Sequence, residues 1–167
     1  MTVRNERTLL VLRHAKSGWS GGEADIDRTL NSRGHSQATD VGSWLAEQFS
    51  IIDVAIVSPA TRARATWALV AAELKSSPEA RVDERAYAAS VSDLLQIVQE
   101  LPDELRTVIL VAHNPGLEEL VSVLTGESVT LPTSALAVLG VPGTWAELAA
   151  STAVLVTSGR ASRAGLA

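Results

Sequence analysis

At 167 residues, 46% hydrophobic and 20% charged, the chain is long and apolar enough to bury one sizeable core. Fourteen basic against nineteen acidic residues give a net charge of −5, which argues against a general nucleic-acid or anionic-membrane surface and makes any anion site a local one. Cysteine is absent, which excludes disulfides, thiolate metal sites and thiol nucleophiles.

In chain order, a start carrying Arg4, Glu6 and Arg7 runs into the apolar, β-branched stretch TLLVLRH, too short for a signal sequence or a membrane span. Together with the lack of cysteine, this fits a cytoplasmic protein. Asn31 or Ser32 then caps a helix whose inward stripe is Ala38, Val41, Leu45 and Phe49. DVAIVS predicts a second strand, followed after Ser58 by a helix with Ala63, Trp67, Val70 and Leu74 on one face. A helix is expected over Ser92 to Leu101, a strand over TVILVAH, and a helix from Asn114 striped by Leu117, Leu120, Val121 and Leu124 that closes at Gly126. ALAVLGV and TAVLVT supply two more strands. Strands alternating with helices predict an α/β, three-layer fold with a mostly parallel central sheet flanked by helices. No repeat or linker divides the chain, so residues 1–157 read as a single domain. Residues 158–167, small and polar, read as a flexible tail.

In an open parallel sheet the ligand crevice lies beyond the carboxyl ends of the strands. The first three apolar runs end in RH, SPATR and HNP, delivering Arg13, His14, Arg62 and His113 to one edge. Ser58-Pro59 and Asn114-Pro115 each look like a helix cap followed by the first helical residue, so two helix N-termini open there as well. Each residue alone has a plain structural reading. Three strand ends supplying phosphate-suited groups together point to a phosphate site. Two histidines beside two arginines, with no third ligand, do not make a metal site.

Without cysteine, a Gly-x-Ser-x-Gly elbow or a Walker-type loop, the nucleophile for phosphoryl transfer is an imidazole, and His14, followed by Lys16 and Ser17, is the better candidate. Attack on phosphorus would give a phosphohistidine that water hydrolyses, with the arginines and His113 stabilising the transferred group and no metal or cofactor required.

The strings LRHAKS, SPATRARAT and VAHNPGLEEL, in that order and over most of the chain, resemble the histidine phosphatase superfamily, with its phosphoglycerate-mutase-like fold. The lysine of RHAKS, the stretch DIDRTLNSRG and the small size are similar to the SixA-type phosphohistidine phosphatases. The resemblance implies His14 as the phosphorylated nucleophile, Arg13 and Arg62 as phosphate clamps and His113 as the second pocket histidine. Two positions depart from the pattern: many relatives carry Gly-Glu where this chain has Ala15 and Lys16, and Thr29 stands where the SixA-type pattern more often has proline.

Mutases and ester phosphatases of the superfamily also need a general acid, for which Glu84, or its neighbour Asp83, is the candidate. An alkoxide leaves poorly without such an acid, whereas a phosphohistidine can be protonated beforehand on its second ring nitrogen and leave as neutral imidazole. The expected function is therefore a metal-independent phosphohistidine phosphatase acting on a free or protein-bound phosphoramidate. A histidine-containing phosphotransfer domain is the partner the resemblance suggests. The alternatives are a broad phosphomonoesterase or small-ester hydrolase of the same superfamily, and a phosphate-binding module without turnover. Lys16, Ser17 and Arg28 are candidate substrate contacts, with pairing to Asp25 or Asp27 the competing role for Arg28. Thr66, one helical turn after Arg62, is placed to orient it, and Thr133 and Ser134 precede the fourth apolar run near the crevice.

Overall fold

The computed structural model describes residues 6–167; Arg4, in the charged start, lies outside them. Seven strands form one sheet in the order β3-β2-β4-β1-β5-β6-β7. These are β1 (Arg7–Arg13), β2 (Val54–Val57), β3 (Glu79–Val82), β4 (Thr107–Ala112), β5 (Ala135–Val141), β6 (Val154–Ser162) and β7 (Gly165–Leu166). The first four pair in parallel, while β5, β6 and β7 each run antiparallel to the preceding strand in the order.

Strand side chains alternate between faces, and this alternation builds the layers. Leu9 and Val11, with Val54, Ile56, Val108 and Leu110, pack on α3 (Val91–Gln99) and α4 (Gly116–Thr125). Leu10 and Leu12, with Ala55, Val57, Ile109 and Val111, pack on α1 (Ser32–Gln48) and α2 (Thr61–Glu73). Burial on both faces is why β1, β2 and β4 read as unbroken apolar runs. The result is the three-layer α/β architecture expected. Among the described residues, no helix is long and apolar enough to cross a membrane.

Helix boundaries follow local chemistry. Asn31 caps α1 by accepting from the Gly34 N–H at 2.9 Å, and α4 ends at Gly126 in the left-handed conformation. α3 begins one residue earlier than its pattern suggests because Ser90 and Asp93 form a capping box. Gly34 is fixed by close approach: a Cβ there would collide with the Lys16 carbonyl, which lies against the first turn of α1 and accepts from Asn31 N–H at 3.0 Å.

Two expectations need correction, and one strand was not foreseen. Ser58 and Asn114 do not cap with proline at the first helical position: α2 starts at Thr61 after Ala60, and α4 at Gly116 after Pro115. Both side chains serve the site instead, as described below. Residues 158–167 are not a frayed tail. Ser158 to Ser162 continue β6, Gly165 and Leu166 form β7, and Arg160 and Ala167 exchange main-chain bonds at 2.7 and 3.1 Å. Main-chain pairing at a sheet edge needs no apolar side chains, so composition carries little signal for it. Strand β3 has no counterpart in the sequence reading, because all four of its residues are exposed and two are charged.

Candidate active site

Parallel strands β1, β2 and β4 end side by side, and antiparallel β5 begins at the same edge. Arg13, His14, Lys16, Ser17, Arg28, Arg62, His113, Asn114 and Thr133 line a cleft of about 230 Å³ there. The structure thus brings together the four strand-end residues and the three candidate substrate contacts. A larger groove of about 470 Å³, between α1 and the β6–β7 turn, is lined by Asp40, Trp44, Glu47 and Arg163 among others and includes no histidine.

His14 is buried and held at every main-chain atom that could let it drift. Its N–H donates to Ala112 O at 3.2 Å, its carbonyl accepts from Ser134 N–H at 2.9 Å, and the next amide, Ala15 N–H, donates to Thr66 Oγ1 at 2.9 Å. Thr66 therefore steadies the His14 loop; its own hydroxyl donates to Arg62 O at 2.7 Å and does not touch the guanidinium. The His14 ring has Nδ1 2.8 Å from the Ala15 carbonyl. A carbonyl only accepts, so Nδ1 carries the proton and Nε2 keeps its lone pair. Burial, aided by the charges of Arg62, Arg13 and Arg28, brings His14 down to about 4, which leaves the imidazole neutral and nucleophilic at neutral pH.

His113 sits beside it, ring centroids 5.1 Å apart, and its Nε2 lies 2.7 Å from Ser58 Oγ. Ser58 Oγ also accepts from Ala60 N–H at 3.2 Å; with its hydroxyl proton directed to Nε2, Nδ1 is the N–H donor. Burial first, then His14 and Arg62, bring His113 down to about 3, so it serves the cleft as a neutral donor. That Nδ1, with the Nε–H groups of Arg13 and Arg62, is buried without a hydrogen-bond partner in the protein. Unpartnered donors on residues that line one cleft fit an oxyanion. Arg13 is steadied by Leu131 O at 3.1 Å, a carbonyl that also accepts from Asn114 Nδ2 at 2.8 Å. Among the described residues, no group of three or more His, Asp or Glu side chains is placed to hold a metal ion.

The sequence reading missed a hub at the rim. Asp25, in a 3-10 turn between β1 and α1, accepts from Arg62 through its main-chain oxygen at 2.6 Å and through Oδ2 at 3.0 Å. Tyr87 donates its hydroxyl to the same Oδ2 at 2.6 Å and turns its ring edge-on to His113 with centroids 5.6 Å apart. Arg28 reaches both the site and the acid, donating to Ser17 Oγ at 2.9 Å and to Asp25 Oδ1 at 3.3 Å, with its guanidinium 4.0 Å over the exposed Trp19 ring. The Tyr87 hydrogen bond, then Arg62 and Arg28, hold the Asp25 carboxyl down at about 2. Only the two acids of DIDR, one turn from Arg28, hinted at this network.

The expected general acid is not in the cleft. Asp83 caps a 3-10 turn by accepting from Arg85 N–H at 3.0 Å, and Arg85 bridges Asp83 and Glu100, which turns the segment outward. Glu84 is exposed on that turn, and neither acid lines the wall. Thr133 does, held from behind by Arg160 of β6, whose Nε donates to Thr133 O at 3.0 Å. Ser134 is buried and contributes its N–H to His14.

Comparison with known proteins agrees with this geometry. Residues 9–108 match the histidine phosphatase superfamily (branch 1). The protein Rv1276c of Mycobacterium tuberculosis is 35% identical over 156 residues, covering 87% of this chain and 96% of its own length. A SixA from Nakamurella multipartita, assigned as a phosphohistidine phosphatase, superposes with a TM-score of 0.83 at 28% identity over 93% of this chain and 96% of its own. Its counterpart from Agrobacterium tumefaciens gives 0.79 at 27% identity over 91% and 96%. A mycobacterial glucosyl-3-phosphoglycerate phosphatase shares the fold alone, at a TM-score of 0.68 and 17% identity over 91% and 98%. The buried strand-end pair Arg13-His14, the Arg62 and His113 beside it and the matched profile have one reading: the chain belongs to the histidine phosphatase superfamily, as a phosphatase of SixA-like fold.

Proposed function

We propose that this phosphatase acts on phosphohistidine, free or borne by a protein such as a phosphotransfer domain, through a phosphorylated His14. One observation carries the substrate class: the cleft wall holds cations, hydroxyls, an amide and imidazoles but no Asp or Glu, and the Asp25 carboxylate bonded to Arg62 outside that wall is held ionised, so no carboxylic acid is offered to protonate a departing alkoxide. The SixA assignments of the similar structures support the same reading.

The substrate phosphoryl group is received by Arg13, Arg62 and the His113 N–H. The His14 Nε2 lone pair forms a bond to phosphorus as the substrate P–N bond breaks and its electron pair returns to the leaving nitrogen. A ring already protonated on its other nitrogen departs as neutral imidazole. Water then attacks phosphorus, the P–Nε2 bond breaks with its pair returning to His14, and the water proton leaves with phosphate. Throughout, the Nδ1–H bond to Ala15 O keeps the ring aimed.

The test is a rapid-quench experiment with a phosphohistidine-labelled protein and no added metal, comparing the native chain with His14→Ala. Transient acid-labile label on the native chain, absent in the variant, together with phosphate release, is the expected result. Release of phosphate from p-nitrophenyl phosphate but none from phosphohistidine would replace this reading with the phosphomonoesterase one.

A further inference from the structure

We propose that Asp25 is a specificity residue that accepts a hydrogen bond from the protonated nitrogen of the leaving group, selecting phosphoramidates whose carrier presents an N–H and rejecting phosphates whose carrier is a second anion. The inference rests on the phosphohistidine reading above.

Asp25 is the carboxylate bonded directly to the clamp: two Arg62 nitrogens and one of Arg28 contact it, and both arginines line the cleft. Its two oxygens are unequally occupied. Oδ2 takes Tyr87 and Arg62, whereas Oδ1 has only the longer contact to Arg28, on a side chain 46% exposed. An ionised acceptor with an open lone pair thus stands at the rim, next to the arginine that holds the phosphoryl group. The groups facing it are Arg62 from α2, Tyr87 from the segment before α3, and Arg28 from its own loop.

A phosphorylated imidazole is matched to this arrangement by its two nitrogens: one bears phosphorus, the other bears a proton directed away from it. Accepting that proton in a hydrogen bond favours the protonated ring, the form in which the P–N bond breaks with its electron pair on nitrogen and neutral imidazole departs. The same carboxylate repels a carrier with its own carboxylate or second phosphate. An aryl phosphate makes no such hydrogen bond, because its oxygen leaves as a stabilised phenolate with no proton required, and it serves as the reference substrate.

The experiment measures kcat/KM for free phosphohistidine and for p-nitrophenyl phosphate in the native chain, Asp25→Asn and Tyr87→Phe, with thermal midpoints to show that each variant folds. Both rates fall in Asp25→Asn, because Arg62 loses a charged acceptor; the expected signature is a further loss of about tenfold or more for phosphohistidine, read as the ratio of the two values. Tyr87→Phe, which keeps the carboxylate, should leave that ratio within about twofold of the native value. Equal losses on both substrates in Asp25→Asn would show that Asp25 only positions Arg62 and overturn the inference while sparing the function. A native chain that turns over p-nitrophenyl phosphate but not phosphohistidine overturns both.

Discussion

The two halves of the sheet meet at the same edge and do different work there. The parallel half, β2-β4-β1, ends in side chains that line the cleft, Arg13 and His14, Arg62 and His113, with Ser58 buried behind His113. The antiparallel half, β5-β6, contributes mostly support, through Ser134 N–H to His14 O and Arg160 to Thr133. Parallel strands all deliver their carboxyl ends to one edge, so reactive groups from distant positions in the chain converge. Strand β5, running the other way, presents its beginning and offers a main-chain donor, while β6, aligned again with β1, brings Arg160 near its carboxyl end to hold Thr133 from behind.

Experiments can break this division of labour. The largest effect belongs to the parallel half: His14→Ala should lower kcat by about 10⁴-fold or more and abolish the covalent intermediate in single-turnover assays. Arg62→Ala should follow at roughly 10²- to 10³-fold, because a preorganised donor to the transferred phosphoryl group is lost.

Acid should act through the same half. Protonating Nε2 removes the attacking lone pair, so kcat/KM of the free enzyme should fall on the acid side near pH 4, not near the ordinary histidine value of 6.5. Stability follows with the same sign. Below pH 6.5 the unfolded chain binds protons at His14 and His113 that the folded chain refuses until about 4 and about 3, so stability is lost as pH falls through that interval. Asp25, held at about 2 against 3.8 ordinarily, adds a loss at lower pH still. An acid limb near 6.5 in a pH–rate profile would contradict the buried, neutral His14.

The antiparallel half should answer more weakly. Arg160→Gln should raise KM about fivefold with kcat within about twofold, the scale of one supporting hydrogen bond. A loss comparable to that of Arg62→Ala would erase the distinction between the halves. Smallest of all, Glu84→Gln should change kcat by less than about twofold, as for an exposed side chain away from the cleft; steady-state rates on phosphohistidine decide it.

The difference between the halves also explains what was legible in the sequence. Strands buried on both faces announce themselves as apolar runs, and the residues that end them, Arg13, His14 and His113, are conspicuous because charge seldom follows such a run without purpose. Arg62 was legible from its place at the start of α2. Contacts between distant loops leave no period or composition behind, so the Asp25–Tyr87 bond across 62 residues was invisible and Tyr87 passed unnoticed. Ser58 and Asn114 were noticed but misread: serine and asparagine before proline suit a helix cap, and only three dimensions show their side chains bonded to His113 and to Leu131 O. Glu84 lies close in sequence to Tyr87, yet the Asp83–Arg85–Glu100 bridges face the turn that carries it away from the cleft.

The contact between Gly34 and the Lys16 carbonyl gives the molecule an unexpected weak point. Gly34 belongs to a helix that lends no side chain to the cleft wall, and its neighbours Arg33 and His35 point to solvent. Any larger residue there must push against the loop that carries His14, which α1 also fastens through Gln37 Oε1 to Lys16 N–H at 3.0 Å. In a random mutagenesis screen, Gly34 should therefore behave like an active-site position: alleles that accumulate normally in the cell yet score as inactive.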